Sequence, residues 1–200
     1  MAGSSRSPGI GLGRGSAFAL ALFLSLPALA DTKPERITLC ESCHGPGGNS
    51  TTPNIPSLAG QPVTFLENQL IFFREELRRA PVMTPLMKGV ADVEVTSLAR
   101  HFNRQEVKAP APSPAGDAVI ARGKQVAGSN HCGQCHLPTY RGRDQMPRLA
   151  GQREDYLVEE MIAYRDGKRT GADTTMSGVL HGMSDADVKA LGAFLARLPP

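Results

Sequence analysis

The sequence predicts an all-α protein that consists of two related domains in tandem. Apolar residues recur at helical spacing in several segments, and a set of short motifs occurs twice along the chain. No stretch alternates clearly between apolar and polar residues, so we expect β-strands to be minor. The chain has 200 residues, 40% hydrophobic and 20% charged, which is an ordinary globular composition.

The first 30 residues have the features of a secretory signal peptide. Two arginines precede a short apolar run at 17–26, and an Ala-x-Ala site ends at Ala30. The run is too short for a membrane anchor, which needs about 20 apolar residues. We expect cleavage after Ala30 and export to an oxidising compartment. Loss of Arg6 and Arg14 lowers the formal net charge from +3 to +1. This near-neutral charge argues against a general nucleic-acid-binding protein.

An internal duplication organises the rest of the chain. The sequence CESCH at 40–44 returns as CGQCH at 132–136, and PSLAGQ at 56–61 returns as PRLAGQ at 147–152. Further matches follow in the same order, all at an offset of 91 to 93 residues. Chance similarity does not preserve the order of several separate blocks, so we interpret the two copies as repeated structural units.

The duplication also predicts the domain boundaries. A Pro/Ala-rich stretch at 109–116 separates the copies and is typical of an extended linker. We therefore expect one domain over 31–108 and a second over 117–200. A unit of about 80 residues rarely builds a sufficient core alone, so metals, disulfides or a bound cofactor usually help to complete it.

Each copy is predicted to contain three helices. One precedes the Cys-x-x-Cys-His motif, one follows the Leu-Ala-Gly-Gln block, and one ends the copy. Ser184 followed by Asp187 is a capping-box pattern at the start of the last helix. The predicted helices cover 63–79, 92–104, 117–128, 154–166 and 185–197, and the helix before the motif is clearest in the second copy.

The repeated Cys-x-x-Cys-His motif is typical of covalent haem c attachment. Its two thiols form thioether bonds to the porphyrin vinyl groups, and the adjacent histidine binds the iron. Two intervening residues allow a helical turn to present both sulfurs to one porphyrin edge. The sequence therefore predicts two covalently bound haems. The attachment residues are Cys40 and Cys43 with ligand His44, and Cys132 and Cys135 with ligand His136.

Three other uses of the four cysteines compete with haem attachment. A redox-active Cys-x-x-Cys pair leaves the following histidine unexplained in both copies. A four-cysteine zinc site fits poorly because each cysteine pair belongs to its own repeat. Ordinary disulfides stay open as an alternative, since the chain is predicted to be exported.

Two methionines are candidates for the sixth iron ligand. Of the seven methionines, only Met83 and Met176 match each other across the repeat, in predicted loops before the last helix of each copy. A thioether ligand stabilises ferrous iron and suits electron transfer. Met87 is the main alternative in the first copy, and the unmatched methionines are expected in the core. His101, His131 and His181 are further alternatives, but none matches a histidine in the other copy.

Two other groups of residues lie close to the haem motifs. A proline carbonyl after each motif is expected to accept the Nδ1–H of the ligand histidine, and the candidates are Pro53, Pro56 and Pro147. The second group follows the second motif and is interpreted as a solvated face, with pairing to haem propionates as the alternative. Its members are Tyr140, Arg141, Arg143 and Arg148.

Taken together, these motifs resemble those of the dihaem class I cytochromes c of the cytochrome c₄ type, over essentially all of 33–198. The resemblance implies two cytochrome c folds about a pseudo-twofold axis, with haems close enough for intramolecular electron transfer. It also implies a periplasmic carrier that takes electrons from cytochrome bc complexes towards terminal oxidases. The implied iron ligands are His44 with Met83, and His136 with Met176.

A carrier and an enzyme are the two function classes to separate. A carrier docks transiently with redox proteins and needs no substrate pocket, and peripheral association with a membrane is compatible with that role. The alternatives are the electron-accepting haem subunit of a periplasmic dehydrogenase and a dihaem peroxidase-like enzyme. Peroxidase chemistry needs an open iron position, so a histidine–methionine pair at both haems argues against it.

Overall fold

The computed structural model describes residues 1–4, 35–111, 113–169, 171 and 174–200. The predicted cleavage site at Ala30 and nearly all of the predicted signal peptide lie outside these residues. In the described part of the chain, no helix is both long and apolar enough to cross a membrane. The described residues from Glu35 onward belong to one compact unit.

Helices account for nearly all of the regular structure in the described residues, which contain no strand and one isolated bridge, between Arg143 and Met146. A 3₁₀ turn at Pro46–Gly48 follows the first helix. The α-helices are α1 (Glu35–His44), α2 (Val63–Arg74), α3 (Met83–Met87), α4 (Asp92–Asn103), α5 (Asp117–Ser129), α6 (Cys132–His136), α7 (Glu154–Arg165), α8 (Thr175–Leu180) and α9 (Asp185–Arg197). The prediction of an all-α protein is confirmed.

The predicted helices are present, with differences at their ends. Ser184 caps α9 as expected, since its hydroxyl accepts the backbone N–H of Asp187 at 3.1 Å. Helix α2 ends at Arg74 rather than at residue 79. The Arg74 guanidinium donates to the carbonyl of Val90 and to Asp92, which ties the end of α2 to the start of α4. Glu76 then adopts a left-handed φ of 57°, which no α-helix continues through.

The helices around the haem motifs depart from the prediction in two ways. In the first half, α1 contains the motif, whereas in the second half His131, at φ 54°, separates α5 from the motif helix α6. Met83 and Met176 were expected in loops, but Met83 begins α3 and Met176 is the second residue of α8. Residues 109–111 and 113–116 carry no helix, and the domain boundaries themselves stay a prediction.

The two halves bury their apolar residues differently. The second half, residues 117–200, has one cluster that joins α5, α7, α8 and α9, and Leu180, Val188 and Leu191 are almost fully buried in it. The first half, residues 35–108, has two clusters: one under α1 and one beside α3. Leu70 of α2 contacts both of them and so connects the two parts of the first core.

Helices α5 and α9 cross in close contact at Gly123. A Cβ atom on Gly123 would lie 2.0 Å from the carbonyl oxygen of Ala190 and 2.7 Å from the Cβ of Phe194. Backbone atoms cannot give way as the end of a flexible side chain can. The absent side chain at residue 123 therefore allows the first and last helices of the second half to pack directly on each other.

We expect Gly123→Ala to lower the free energy of unfolding by about 1–3 kcal/mol or more, because overpacking forces the two helices apart. Gly128→Ala in the same helix is the matched control. Nothing lies within 4 Å of its added Cβ, so it should stabilise by about 0.5–1 kcal/mol through helix propensity. Denaturant unfolding of the haem-loaded protein measures both variants. Equal effects at the two positions would contradict the close crossing.

Candidate haem sites

The first candidate site lies at the C-terminal end of α1. His44 is buried there, and its Nδ1 lies 2.8 Å from the carbonyl oxygen of Pro56. Cys40, one turn earlier, is half-buried against the cluster under α1, whereas Cys43 is exposed. The two cysteines form no disulfide. One short helix segment therefore presents two thiols and a buried imidazole.

The second candidate site repeats this arrangement on α6. His136 is buried, and its Nδ1 lies 3.0 Å from the carbonyl oxygen of Pro147. Cys132 is half-buried against the core of the second half, Cys135 is exposed, and the two form no disulfide. Among the described residues, the buried Nε2 of His136 has no hydrogen-bond partner.

The hydrogen bonds fix which nitrogen of each ring is available. A carbonyl oxygen can only accept, so Nδ1 carries the proton and donates, which leaves the lone pair on Nε2. Burial lowers the pKa of His44 and of His136, although the bonds to the proline carbonyls oppose the shift. Both rings are therefore neutral at pH 7. Neutral imidazole with a free Nε2 is the form that binds iron.

This donor set fits haem c better than the alternative uses of cysteine. Neither pair forms a disulfide. Within the described ranges, no three or more His, Cys, Asp or Glu side chains come together as a metal cluster, which a zinc site shared by both pairs would require. The orphaned Nε2 of His136 is the kind of buried polar atom that a missing ligand would satisfy.

Each matched methionine lies half-buried at the edge of a core cluster. Met176 contacts the same cluster as Cys132. Met83 contacts the cluster beside α3, and Leu70 connects that cluster to the one that holds Cys40. Met87, at the other end of α3, is only 2% exposed and belongs to the core itself. The expected core position of Met87 is confirmed.

The three unmatched histidines occupy other surroundings. His101 lies in α4, where its Nε2 is 3.9 Å from Glu41 and its ring meets Phe102 edge-on. His131 and His181 are exposed at helix ends. These are the positions of locally bonded or solvent-facing side chains.

The structure selects Pro56 and Pro147 as the carbonyls that accept from the two histidines, rather than Pro53. The sequence alone did not decide between them. The repeat contained the necessary information, because Pro56 and Pro147 each open the PxLAGQ block, whereas Pro53 has no proline counterpart.

The interpretation of residues 140–148 as a solvated face is wrong for Arg148. Arg141 and Arg143 are exposed, but Arg148 is only 3% exposed. Its guanidinium donates to the carbonyls of Ala59, at 2.9 Å, and of Ala150, so it lies between the two halves. Burial lowers the pKa of Arg148 to about 10. Pairing with a haem propionate stays a prediction for this residue.

Comparison with known proteins supports the same conclusion as the geometry. The family model for cytochrome c matches residues 120–199. The chain is 33% identical to the thiosulfate dehydrogenase electron acceptor of Thiomonas intermedia, over 90% of this chain and 87% of that protein. It is 30% identical to cytochrome c₄ of Stutzerimonas stutzeri, over 84% of this chain and 89% of that protein.

Solved structures show the same likeness. The structure of reduced recombinant cytochrome c₄ from Pseudomonas stutzeri matches with a TM-score of 0.75 and 29% identity, over 82% of this chain and 95% of that one. This match confirms the prediction of two tandem cytochrome c folds. The cofactors are covalently bound haem c, and the protein transfers electrons with redox partners rather than acting as an enzyme. The chain belongs to the cytochrome c₄ family of dihaem electron carriers.

Proposed function

We propose that this protein is a periplasmic carrier that moves electrons between respiratory-chain proteins through two haems, each with a histidine and a methionine ligand. The observation that supports the proposal is the repetition of one arrangement in both halves. Each half has a buried histidine whose Nδ1 is held by a proline carbonyl, with two free cysteines before it on the same helix. Export, with cleavage after Ala30, is part of the proposal.

The proposed roles follow from the chemistry of each side chain. The cysteines would attach the porphyrins, and the motif histidines and the matched methionines would bind the iron. The attachment residues are Cys40, Cys43, Cys132 and Cys135; the iron ligands are His44, Met83, His136 and Met176.

Bound haem supplies one-electron chemistry at iron, and the protein sets the conditions for it. The proline carbonyls orient the two imidazoles and increase their basicity. The methionine sulfurs favour the ferrous state. A histidine and a methionine bound to each iron would keep other ligands away, so electrons would pass without a substrate binding to iron.

Two electron donors are candidates. We propose a cytochrome bc complex as the donor and a terminal oxidase as the acceptor. The second candidate donor is a periplasmic dehydrogenase, favoured by the likeness to the thiosulfate dehydrogenase electron acceptor of Thiomonas intermedia. Stopped-flow reduction of the oxidised protein by each purified donor separates them. Fast reduction by the bc complex with quinol supports the carrier, whereas fast reduction by the dehydrogenase alone supports the second candidate.

The haem content provides the direct test of the site. We expect two haems per chain in a denatured pyridine haemochrome assay, because each half carries one attachment motif. The oxidised protein should show the weak far-red charge-transfer band of ferric iron bound to thioether sulfur, and the reduced protein should resist carbon monoxide. One haem per chain, or stoichiometric carbon monoxide binding by the unmodified protein, would contradict the proposal.

A further inference from the structure

A reciprocal pair of glutamine contacts joins the two halves. In the second half, Gln152 accepts the backbone N–H of Ser57 through Oε1 at 2.8 Å and donates from Nε2 to the Ser57 carbonyl at 2.8 Å. In the first half, Gln61 accepts the N–H of Arg148 at 2.9 Å and donates to its carbonyl at 3.0 Å. Both glutamines are buried, at 2% and 3% exposure.

Each glutamine contacts the peptide group that holds the histidine of the opposite half. The N–H of Ser57 and the carbonyl of Pro56 belong to one peptide unit, and that carbonyl accepts from Nδ1 of His44. A continuous chain of hydrogen bonds therefore runs from Gln152, through the Pro56–Ser57 peptide, to His44. The equivalent chain runs from Gln61, through the Pro147–Arg148 peptide, to His136.

Hydrogen bonds in such a chain strengthen one another. When the amide N–H of a peptide donates to an acceptor, the peptide is polarised and its carbonyl oxygen becomes more negative. A more negative carbonyl accepts more strongly from Nδ1–H, and this raises the basicity of the imidazole as an iron ligand. A more basic ligand stabilises ferric iron. These hydrogen bonds are buried, so water does not screen them.

We propose that Gln152 is a positioning residue for His44, and Gln61 for His136, so that each half adjusts the reduction potential of the haem in the other half. The inference rests on the proposed role of the two histidines as iron ligands. Each glutamine should therefore change the potential of the haem in the opposite half. A residue that acts only within its own half would not have this effect.

The test uses the haem-loaded, full-length protein with Gln152→Met or Gln61→Met. Methionine approximates the length of glutamine, but its thioether sulfur accepts only weakly from the peptide N–H and cannot donate to the carbonyl. NMR-monitored redox titration, with the haem methyl signals assigned to each half, gives the two potentials separately. The Nδ1–H signal of each ligand histidine reports the strength of its hydrogen bond.

For Gln152→Met we expect a higher potential at the first haem and an upfield shift of the His44 Nδ1–H signal, with little change at the second haem. For Gln61→Met the same changes should occur at the second haem and His136. Tyr156→Phe is the control, because it removes a different hydrogen bond between the halves, from Arg78 to the Tyr156 hydroxyl at 3.3 Å. It should leave both histidine signals in place.

Gln152→Glu distinguishes an effect transmitted through the hydrogen bonds from an effect of altered packing. The carboxylate still accepts from the N–H of Ser57 but cannot donate to the Ser57 carbonyl. If the effect passes through the hydrogen bonds, the His44 Nδ1–H signal should stay downfield in this variant, even if the contact between the halves is weaker. This variant also decides the matter if Gln152→Met does not retain both haems.

Several results would overturn the inference. These are an effect of Gln152→Met on the second haem alone, equal effects on both haems, or no effect on either. An upfield His44 signal in Gln152→Glu would do the same. Failure of the proposed ligands is distinguishable, because the unmodified protein would then lack the strongly shifted ring signals of an iron-bound His44.

Discussion

Replacing both Cys132 and Cys135 with alanine should reduce the haem content from two to one per chain and prevent the second half from folding. Without thioether bonds the porphyrin is not retained. Apolar residues at the edge of the same core cluster as Cys132, such as Leu149 and Met176, then lose a covering surface. Apolar burial stabilises by about 25 cal/mol per Å², so each 100 Å² of apolar surface left uncovered costs about 2.5 kcal/mol. A small domain is stable by only about 5–15 kcal/mol.

Haem quantification of the purified variant measures the number of haems per chain. Circular dichroism during thermal unfolding measures whether the second half is folded. The matched control is Cys40→Ala with Cys43→Ala, which should remove the first haem and leave the haem of the second half attached. A haem-free second half that unfolds cooperatively at its usual temperature would show that the porphyrin is not part of that core.

Features that depend on local chemistry could be predicted from the sequence. The haem motifs are short, and their function depends on spacing within one helical turn. The Ser184 cap depends on residues three positions apart, and it formed as expected. The repeat located the corresponding helices because matching apolar positions, such as Val95 and Val188, are buried in both copies.

Features that depend on contacts between distant segments could not be predicted. The end of α2 follows from the pairing of Arg74 with Asp92, which the run of charged residues after position 74 does not indicate. The burial of Arg148 follows from the opposite half, which supplies the carbonyl of Ala59. An arginine close to other arginines in the sequence is expected to be exposed to solvent, but Arg148 is buried between the two halves.

The crossed glutamine contacts show the same limit most clearly. Gln61 and Gln152 match across the repeat, so the sequence marks them as equivalent. Their equivalence does not reveal that each bonds to the backbone of the other copy. Only the way in which the halves pack decides between a contact within one copy and a contact across the two.

Changing Met176 to alanine should open the second iron to carbon monoxide and lower the potential of that haem by on the order of 100 mV, because the sulfur that favours ferrous iron is lost. Met83→Ala should act in the same way on the first haem. In each variant, half of the far-red sulfur–iron band should disappear. Carbon monoxide titration of the reduced protein, followed by absorbance, should give one binding site per chain.

Met87→Leu is the control for the first haem, because Met87 is the other methionine of α3. Leucine keeps its volume in the core, so the substitution should cost less than about 1.5 kcal/mol of stability. Since Met87 is buried among Phe73, Val90 and Val95, the variant should retain the full sulfur–iron band and resist carbon monoxide. Loss of the first-haem band in Met87→Leu, with the band intact in Met83→Ala, would transfer the ligand role from Met83 to Met87.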